Sequence, residues 1–240
     1  MESIINLIIL YLIIKFFAKR IKKNNDMPTE INKFSNRYDK QTFMKNANID
    51  YWDILTDKGC KGEYKIYKFL NKYININYKI INNVYINKKN GKTTEIDIIL
   101  ICIKGIFVFE IKNYSGWIFG SREQTYWMQR FQNGKTFKFY NPIMQNANHI
   151  KALKEYLNIY DMKMFKSIVV FINGKLKTEI EYVKDNYVIA NNISIIKDII
   201  ELREDIIDEN TINEIYVNLK NSTGKSKEEK EMHINNIKNS

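Results

Sequence analysis

The stretch from Thr94 to Lys112, TEIDIILICIKGIFVFEIK, contains two of the most apolar runs in the chain. Short runs rich in Ile, Val and Phe predict buried β-strands, here Thr94 to Ile103 and Ile106 to Lys112. Lys104 and Gly105 between them predict the two-residue loop of a β-hairpin. A tight hairpin of two buried strands predicts that the centre of the fold is a β-sheet.

Three ionisable residues interrupt these apolar strands, namely Asp97, Glu110 and Lys112. Burying a charge is costly unless it is paired or bound to a metal, so each of them needs an explanation. If the loop is as predicted, Ile103 pairs with Ile106. Asp97 then lies opposite Lys112, with Glu110 on the adjacent diagonal. We expect the three side chains to project from one face of the sheet, within about 5 to 8 Å of one another.

A carboxylate pair beside an ammonium group suits metal-assisted hydrolysis of a phosphodiester. Asp97 and Glu110 would hold Mg²⁺, a hard cation that prefers carboxylate oxygens. The metal would polarise the scissile phosphate and lower the pKa of a bound water. Lys112 would orient that water or stabilise charge in the transition state. On this hairpin alone, a salt bridge at the end of a sheet explains the same residues equally well.

The rest of the chain predicts helices and strands on both sides of this hairpin. A helix is expected to begin near Lys61 or Gly62, with Glu63 in its first turn. Further strands are expected at Tyr78 to Ile86, Trp117 to Gly120, Tyr126 to Tyr140, Ser167 to Ile172 and Tyr187 to Ala190. Further helices are expected after Asn141-Pro142, with Ala147, Ile150, Leu153 and Leu157 as the apolar face, at Ile195 to Ile207 and at Ile212 to Leu219.

The first residues of the chain predict a membrane anchor. Ile4 to Ala18 are nearly all apolar, and a basic run from Lys19 to Lys23 follows them at once. The apolar run is short for a bilayer, although Lys15 inside it can reach toward the basic flank. A secretory signal is disfavoured because no basic residue precedes the run and no small-residue cleavage site follows it. The position of the basic flank predicts that the rest of the chain is cytoplasmic. An amphipathic packing helix is the remaining alternative.

Composition favours nucleic acid as a partner only weakly. The net charge is +11 and the pI is near 9.3, which suits a polyanion. However, the chain is rich in Lys, Asn, Ile and Tyr throughout, a pattern typical of AT-rich coding that raises Lys everywhere. The two cysteines, Cys60 and Cys102, lie far apart without a second Cys or His at metal-ligand spacing, so a zinc site and a disulfide framework are both disfavoured.

An ordered set of motifs resembles the nuclease-related domain family, which is similar to the PD-(D/E)XK restriction-endonuclease-like nucleases. The motifs are Gly59-x-x-Gly62-Glu63, Glu95-Ile-Asp97, Gly105-Ile-Phe-Val-Phe-Glu110-Ile-Lys112-Asn113, Gly116, Trp127 and Asn141-Pro-Ile-Met-Gln145. The resemblance covers roughly Asp57 to Ile172. Ile96 stands where the wider superfamily has the proline of its name, but proline supplies no chemistry there.

The resemblance implies a set of catalytic residues and metal ligands. It places Asp97, Glu110 and Lys112 at the family's acidic, acidic and lysine positions, and Glu63 as the acidic residue of the first helix. Gln145 would contact a phosphate or the attacking water, although a surface amide is an equally good interpretation. Asp97, Glu110 and Glu63 would hold Mg²⁺, with Mn²⁺ as an alternative. Trp117, Trp127 and Arg130 could stack on bases or contact phosphate, but aromatic residues in strands usually belong to the core.

We therefore expect an α/β protein with a restriction-endonuclease-like central mixed sheet and flanking helices, preceded by an N-terminal membrane helix. Residues 1–23 are the predicted anchor, 24–53 a linker or helical region, 54–219 the nuclease-related domain and 220–240 a disordered tail.

The expected function is that of a membrane-anchored, Mg²⁺-dependent nuclease. It would hydrolyse phosphodiester bonds in nucleic acid, with DNA as the favoured polymer, at the cytoplasmic face of the membrane. The main alternative is a catalytically inactive, membrane-tethered module that binds nucleic acid or serves as a scaffold. A second alternative is a nuclease fold that acts on another phosphate-containing ligand. The intact Asp97, Glu110 and Lys112 set favours catalysis over a scaffold.

Overall fold

The computed structural model describes residues 39–88, 91–176, 186–190 and 192–223. Its helices are α1 (residues 39–47), α2 (Tyr51–Thr56), α3 (Lys58–Tyr73), α4 (Pro142–Leu157), α5 (Ile195–Glu201) and α6 (Glu209–Lys220). Its strands are β1 (Tyr78–Asn87), β2 (Thr93–Cys102), β3 (Gly105–Phe119), β4 (Tyr126–Arg130), β5 (Thr136–Tyr140), β6 (Phe165–Leu176) and β7 (Asn186–Ala190), with a 3₁₀ turn at Met162–Met164.

Seven strands form one mixed sheet in which β3 is the central element. The strands β1 to β5 follow one another as antiparallel neighbours. On its other edge β3 pairs with β6, and β6 pairs with β7, both in parallel. The predicted α/β fold with a central mixed sheet and flanking helices is confirmed.

The predicted break after Lys112 is wrong, because β3 is one continuous strand of 15 residues. Its beginning pairs with β2, and its end, which contains the expected separate strand at Trp117, pairs with β4. Strand β6 pairs with both parts, and the register shifts between Lys112 and Ser115. Since β6 spans both parts, the irregular segment continues as a strand instead of becoming a loop.

Helices cover both faces of the first half of β3. On one face, α3 packs through Ile66 and Leu70 in a core cluster with Phe107 and Phe109 of β3. On the opposite face, α4 and α6 pack in a cluster with Ile106 and Val108, the residues that alternate with them. The residues of the candidate site therefore lie between an α3 layer and an α4 layer.

Helix α3 begins earlier than expected. Asp57 caps it by accepting from the backbone N–H of Cys60 at 2.8 Å, so the first helical residue is Lys58. Glu63 therefore lies in the second turn, not in the first. The sequence pattern misses this start because the cap precedes a turn without apolar residues.

Helix α4 begins as predicted, with the side chain of Asn141 as cap and Pro142 in the first turn. Its buried stripe differs from the prediction, since Ala147 is exposed whereas Asn146 and His149 are buried. An apolar pattern cannot find a buried stripe that contains polar side chains. The predicted helix over Ile195 to Ile207 ends at Glu201, and α6 begins after the cap Asp208.

The predicted anchor, Ile4 to Ala18, lies outside the described residues, and so does the tail from residue 224 onward. Within the ranges that the structure describes, no helix combines the length and the apolarity that a membrane crossing requires. In the region expected to be a linker or helix, residues 39–47 are helical, and Phe43 is fully buried in the core of the domain.

Candidate active site

The site is located where the pairing of β1 and β2 is interrupted. The two strands pair on both sides of Asn83 and Asp97, but these two residues do not pair. Asn83 has a φ of 53°, a left-handed conformation that Asn tolerates better than most residues. In β2, Ile96 packs in the core with α4 whereas Ile98 packs in the core with α3. Alternation is therefore broken at Asp97, whose side chain is not part of either apolar layer.

The predicted register of β2 and β3 is wrong by two residues. Cys102 pairs with Gly105 and Ile98 with Phe109, so the hairpin loop consists of Ile103 and Lys104. Gly105, with a φ of 123°, is the residue after this turn, where a positive φ favours glycine. Continuing this register places Glu110, not Lys112, opposite Asp97.

Asp97 bridges the gap that opens between β2 and β3. Backbone pairing of the two strands ends at Ile98 and Phe109. Beyond that point, the backbone N–H of Ile111 donates to Oδ2 of Asp97 at 2.7 Å. A carboxylate thus satisfies an amide of β3 that lies beyond the end of the ladder. Because the strands separate here, side chains from both helical layers can approach the same point.

Glu110 and Lys112 form a buried ion pair on the α4 side of β3. Nζ of Lys112 lies 2.6 Å from Oε1 of Glu110, whose side chain is 1% exposed. The same ammonium donates to Oε1 of Gln145 on α4 at 3.1 Å. Gln145 is thus neither a free surface amide nor distant from the cluster, and its carbonyl oxygen helps to position the lysine.

Glu63 reaches the cluster from the α3 side. The side-chain amide of Asn83 donates to Oε2 of Glu63 and to Oε1 of Glu95, at 3.2 Å each. The single face predicted for Asp97, Glu110 and Lys112 does not describe the whole cluster, because Glu63 approaches from the other side of the sheet. Glu63 and Glu95 meet on the α3 side, whereas Glu110 turns toward α4. Alternation could not predict this arrangement because it is interrupted at Asp97.

Two carboxyl groups of the cluster have raised pKa values. Burial and the neighbouring Glu110 and Glu63 raise the pKa of Asp97 well above its usual value. Burial and the negative charge of Glu95 raise the pKa of Glu63 to about 8. Both shifts have the same physical cause, which is negative charge removed from water and placed beside more negative charge.

The ion pair behaves in the opposite way. Burial alone would raise the pKa of Glu110, but Lys112 and His149 outweigh burial and lower it. Burial alone would lower the pKa of Lys112, but Glu110 and Asp97 outweigh burial and raise it. Glu110 and Lys112 are therefore both charged at neutral pH, beside carboxyl groups that titrate at higher pH than usual.

His149 is a site residue that the sequence analysis missed. Its Nε2 lies 3.0 Å from Oε2 of Glu110, and its Nδ1 lies 2.8 Å from Oγ1 of Thr94. Because an ionised carboxylate only accepts, we assign the proton to Nε2, so that the Thr94 hydroxyl donates to Nδ1. The available signal was helical spacing, since His149 is four residues after Gln145 and so shares its face of α4.

Gly62 allows α3 to approach β3 closely. A Cβ atom built there would lie 2.9 Å from Cβ of Asn113 and 3.2 Å from Cδ1 of Ile172. The side chain of Asn113 also donates to the backbone carbonyl of Lys58 at 2.7 Å. These contacts hold the helix that carries Glu63 against the strand that carries Glu110. The glycine thus has a packing reason independent of any ligand.

The donor chemistry of the cluster fits a hard divalent cation. Asp97, Glu63 and Glu110 present carboxyl oxygens, the atoms that Mg²⁺ and Mn²⁺ prefer, and the one ammonium of Lys112 is paired with Glu110. In the described part of the chain, no group of three or more His, Cys, Asp or Glu side chains is arranged so that it could hold a metal ion. Oε1 of Glu110 is in contact with the ammonium of Lys112.

All five predicted site residues belong to this one cluster, although not in the predicted register. Together the fold and the cluster define an α/β domain with an acidic and lysine site where two antiparallel strands separate. Residues 58–172 match the family model described as nuclease-related domain, which confirms the resemblance. The match covers slightly less than half of the chain.

One relative is similar to part of the chain and carries no functional description. An uncharacterized protein of Bacillus anthracis is 41% identical over 97 residues, which cover 40% of this chain and 45% of that protein. The match therefore spans less than half of either chain.

Proposed function

We propose that this protein is a metal-dependent nuclease that hydrolyses phosphodiester bonds in nucleic acid. The observation that carries the proposal is the meeting of Asp97, Glu63 and Glu110 with Lys112 where β2 and β3 separate. A purely structural salt bridge needs one carboxylate for one lysine. The additional carboxyl groups raise the pKa values of their neighbours, which is a cost that a bound cation would offset.

Asp97, Glu110 and Glu63 are the residues that would hold Mg²⁺ or Mn²⁺. A bound divalent cation supplies a Lewis acid for the phosphate and lowers the pKa of a coordinated water. The nuclease-related domain supports a nuclease-related activity. Metal dependence is our proposal and rests on the oxygen donors of the cluster.

Lys112 is proposed to stabilise negative charge that develops on the phosphate. Its side chain is 17% exposed, and its ammonium is held 2.6 Å from Oε1 of Glu110. Gln145 limits its position through the 3.1 Å hydrogen bond. A cation that is held before the substrate arrives needs less reorganisation during the reaction than one that is free in water.

Anchoring to the membrane is also proposed, with the nuclease-related domain on the cytoplasmic side. The support is the sequence of Ile4 to Ala18 and its basic flank at Lys19 to Lys23. A reporter fused after Ser240 should then behave as cytoplasmic, and the protein should remain with membranes after a salt wash. Recovery of a chain that lacks its first 30 or so residues would contradict the anchor.

Cleavage of defined polymers tests the proposed activity. The full chain, in non-ionic detergent, is incubated with labelled single- and double-stranded DNA and RNA, with Mg²⁺, Mn²⁺ or EDTA. We expect cleavage only with a divalent cation, and none by the Asp97→Asn variant. Exposed Lys65→Ala on α3 is the matched control. Metal-independent cleavage, or full activity of Asp97→Asn, would contradict the proposal. Binding without cleavage would indicate the alternative of an inactive module.

A further inference from the structure

A second feature of the domain lies on the same central strand as the candidate active site. Trp117 of β3 pairs with Arg130 of β4 and with Lys175 of β6. Directly paired residues project from the same face of a sheet, so an indole and two cations share one surface. The other face of these strands is closed, since Ile118 and Trp127 are buried in the core. Sequence alone left Trp117 and Trp127 equivalent, and the structure separates them.

This surface is a cleft, which we call the Trp117 cleft. It consists of two adjoining hollows of about 500 Å³ each, both lined by Trp117, Phe131 and Gln132. Phe119 and Arg130 complete the first hollow, and Lys175 lines the second. Volumes of this size are typical of sites for small ligands. An open hollow between aromatic rings and cations suits a flat, anionic group.

Three cations lie at and beside the cleft. Among the residues that the structure describes, the side chains of Arg130, Lys138 and Lys175 have no carboxylate partner within ion-pair distance. Glu123 is the only acidic residue between Tyr114 and Lys138. An unbalanced positive surface attracts phosphate by releasing counterions. It does not distinguish a single strand from a duplex.

The aromatic rings of the cleft distinguish a single strand from a duplex. An indole such as Trp117 can stack on a base only if the base is unpaired and turned out of its helix. Aromatic stacking beside cations that follow the backbone is the general mode of binding single-stranded nucleic acid. A duplex would present phosphates to Arg130 and Lys175 but would keep its bases from the rings.

We propose that the Trp117 cleft binds single-stranded nucleic acid and leads it to the gap between β2 and β3, from the side on which Glu63 lies. The inference rests on the proposed nuclease function and adds its substrate class. Trp117 lies five residues after Lys112 on β3. At about 3.3 Å per residue the two are roughly 16 Å apart along the strand, a span of at most about five nucleotides at about 3.4 Å each. The cleft lies on the α3 side of the sheet, because its other face carries Ile118 and Trp127, which pack with Ile143 of α4. Glu63 reaches the cluster from that same side, so one short strand can run from the cleft to the gap between β2 and β3.

Binding without cleavage tests the proposal. The full chain in non-ionic detergent and EDTA is titrated into a labelled single-stranded oligothymidylate of about 12 nucleotides and into a blunt duplex of the same length. Trp117→Leu should weaken binding of the single strand at least about fivefold and change duplex binding less than about twofold. Trp117→Phe, which keeps a ring, should retain most of the affinity. Thermal unfolding shows whether each variant is folded.

The cations give an independent test that does not depend on the half-buried indole. The double variant Arg130→Gln, Lys175→Gln should reduce the salt slope of single-strand binding by about 0.7 for each phosphate that is no longer neutralised. Lys151→Gln, an exposed change on α4, is the control. An unchanged slope in the double variant, or equal weakening for single strand and duplex in folded Trp117→Leu, would overturn the proposal. Failure of the nuclease function alone would appear differently, as intact binding with no cleavage in Mg²⁺.

Discussion

Nε2 of His149 lies 3.0 Å from Oε2 of Glu110, on the side of the carboxylate away from Lys112. Glu110 therefore has a donor at each oxygen, the ammonium at Oε1 and the imidazole at Oε2. Thr94 extends this series of hydrogen bonds by contacting the other ring nitrogen of His149. A carboxylate held at both oxygens has little freedom to rotate, which favours a fixed geometry for any ligand it binds.

Removing the imidazole should loosen this geometry. His149→Phe keeps a ring of similar size but leaves Oε2 of Glu110 without its donor, so we expect a loss of about 1–3 kcal/mol in unfolding free energy and a lower cleavage rate. Thr94→Val, which removes only the outer hydrogen bond, should cost about 1 kcal/mol. Denaturant unfolding and single-turnover cleavage measure the two effects. An unchanged stability of His149→Phe would show that the contact has no structural weight.

The two carboxylates opposite each other at the strand gap should respond in opposite ways to neutralisation. Asp97→Asn removes a carboxylate that burial disfavours, and the amide oxygen can still accept from Ile111, so its melting temperature at pH 8 should rise. Glu110→Gln leaves the ammonium of Lys112 buried without its partner, so its melting temperature should fall. Calorimetry on both variants decides the point. A rise for both would mean that the ion pair is not formed.

Stability without divalent cations should fall as the pH rises. Burial raises the pKa of Glu63 from 4.5 to about 8, so between these values the folded chain holds a proton that the unfolded chain has released. Unfolding free energy therefore decreases through this window and levels off above it. Asp97, with its raised pKa, acts in the same direction. Melting temperatures in EDTA from pH 5 to about 9 measure the slope.

Glu63→Gln should flatten this pH profile, because the variant has no proton to lose at that position. Glu204→Gln, a change at an exposed carboxylate, should leave the profile as in the unmodified chain. A profile that is equally steep in Glu63→Gln would exclude Glu63 as its origin.

The sequence allowed the sheet, its flanking helices and the five residues of the cluster to be predicted, but not how they meet. Alternation and turn residues predict which strands are buried, yet Gly105 lies after the turn and not within it, which moved the register by two. Because the register differs from the prediction by an even number of residues, each side chain of β3 that pairs with β2 still projects from the predicted face of the sheet. The left-handed Asn83 donates to Glu63 of α3, and Asp97 accepts from Ile111 of β3, so both residues have partners outside their own strands that no local pattern in β1 or β2 reveals.

His149 was missed for a different physical reason. In a pattern of apolar residues, a buried polar residue cannot be told from an exposed one. Because Asn146 and His149 are polar, the apolar pattern placed the buried face of α4 too close to Ala147. Such residues become visible only when their partners are known. The partners here lie 55 and 39 residues away in sequence, at Thr94 and Glu110.

Lys112→Met separates the catalytic role of the lysine from a structural one. The change keeps much of the apolar stem and removes the ammonium. If Lys112 stabilises charge in the transition state, cleavage at saturating Mg²⁺ should fall at least about a hundredfold, with little change in affinity for nucleic acid. Single-turnover cleavage and thermal unfolding on one preparation give both quantities, with Lys65→Met on the exposed side of α3 as control. A loss of stability without a specific rate defect would assign the lysine to the ion pair alone.

The backbone amide of Ile111 offers a direct observation of the candidate site. Because its hydrogen bond goes to Oδ2 of Asp97 and not to a strand carbonyl, its strength depends on the charge of one carboxylate. Exchange of this single amide with deuterium, followed by NMR, should change when Asp97 is protonated or binds a cation, while amides of the paired segments before Phe109 remain as they are. The splayed hairpin thus contains its own spectroscopic probe, readable without substrate and without turnover.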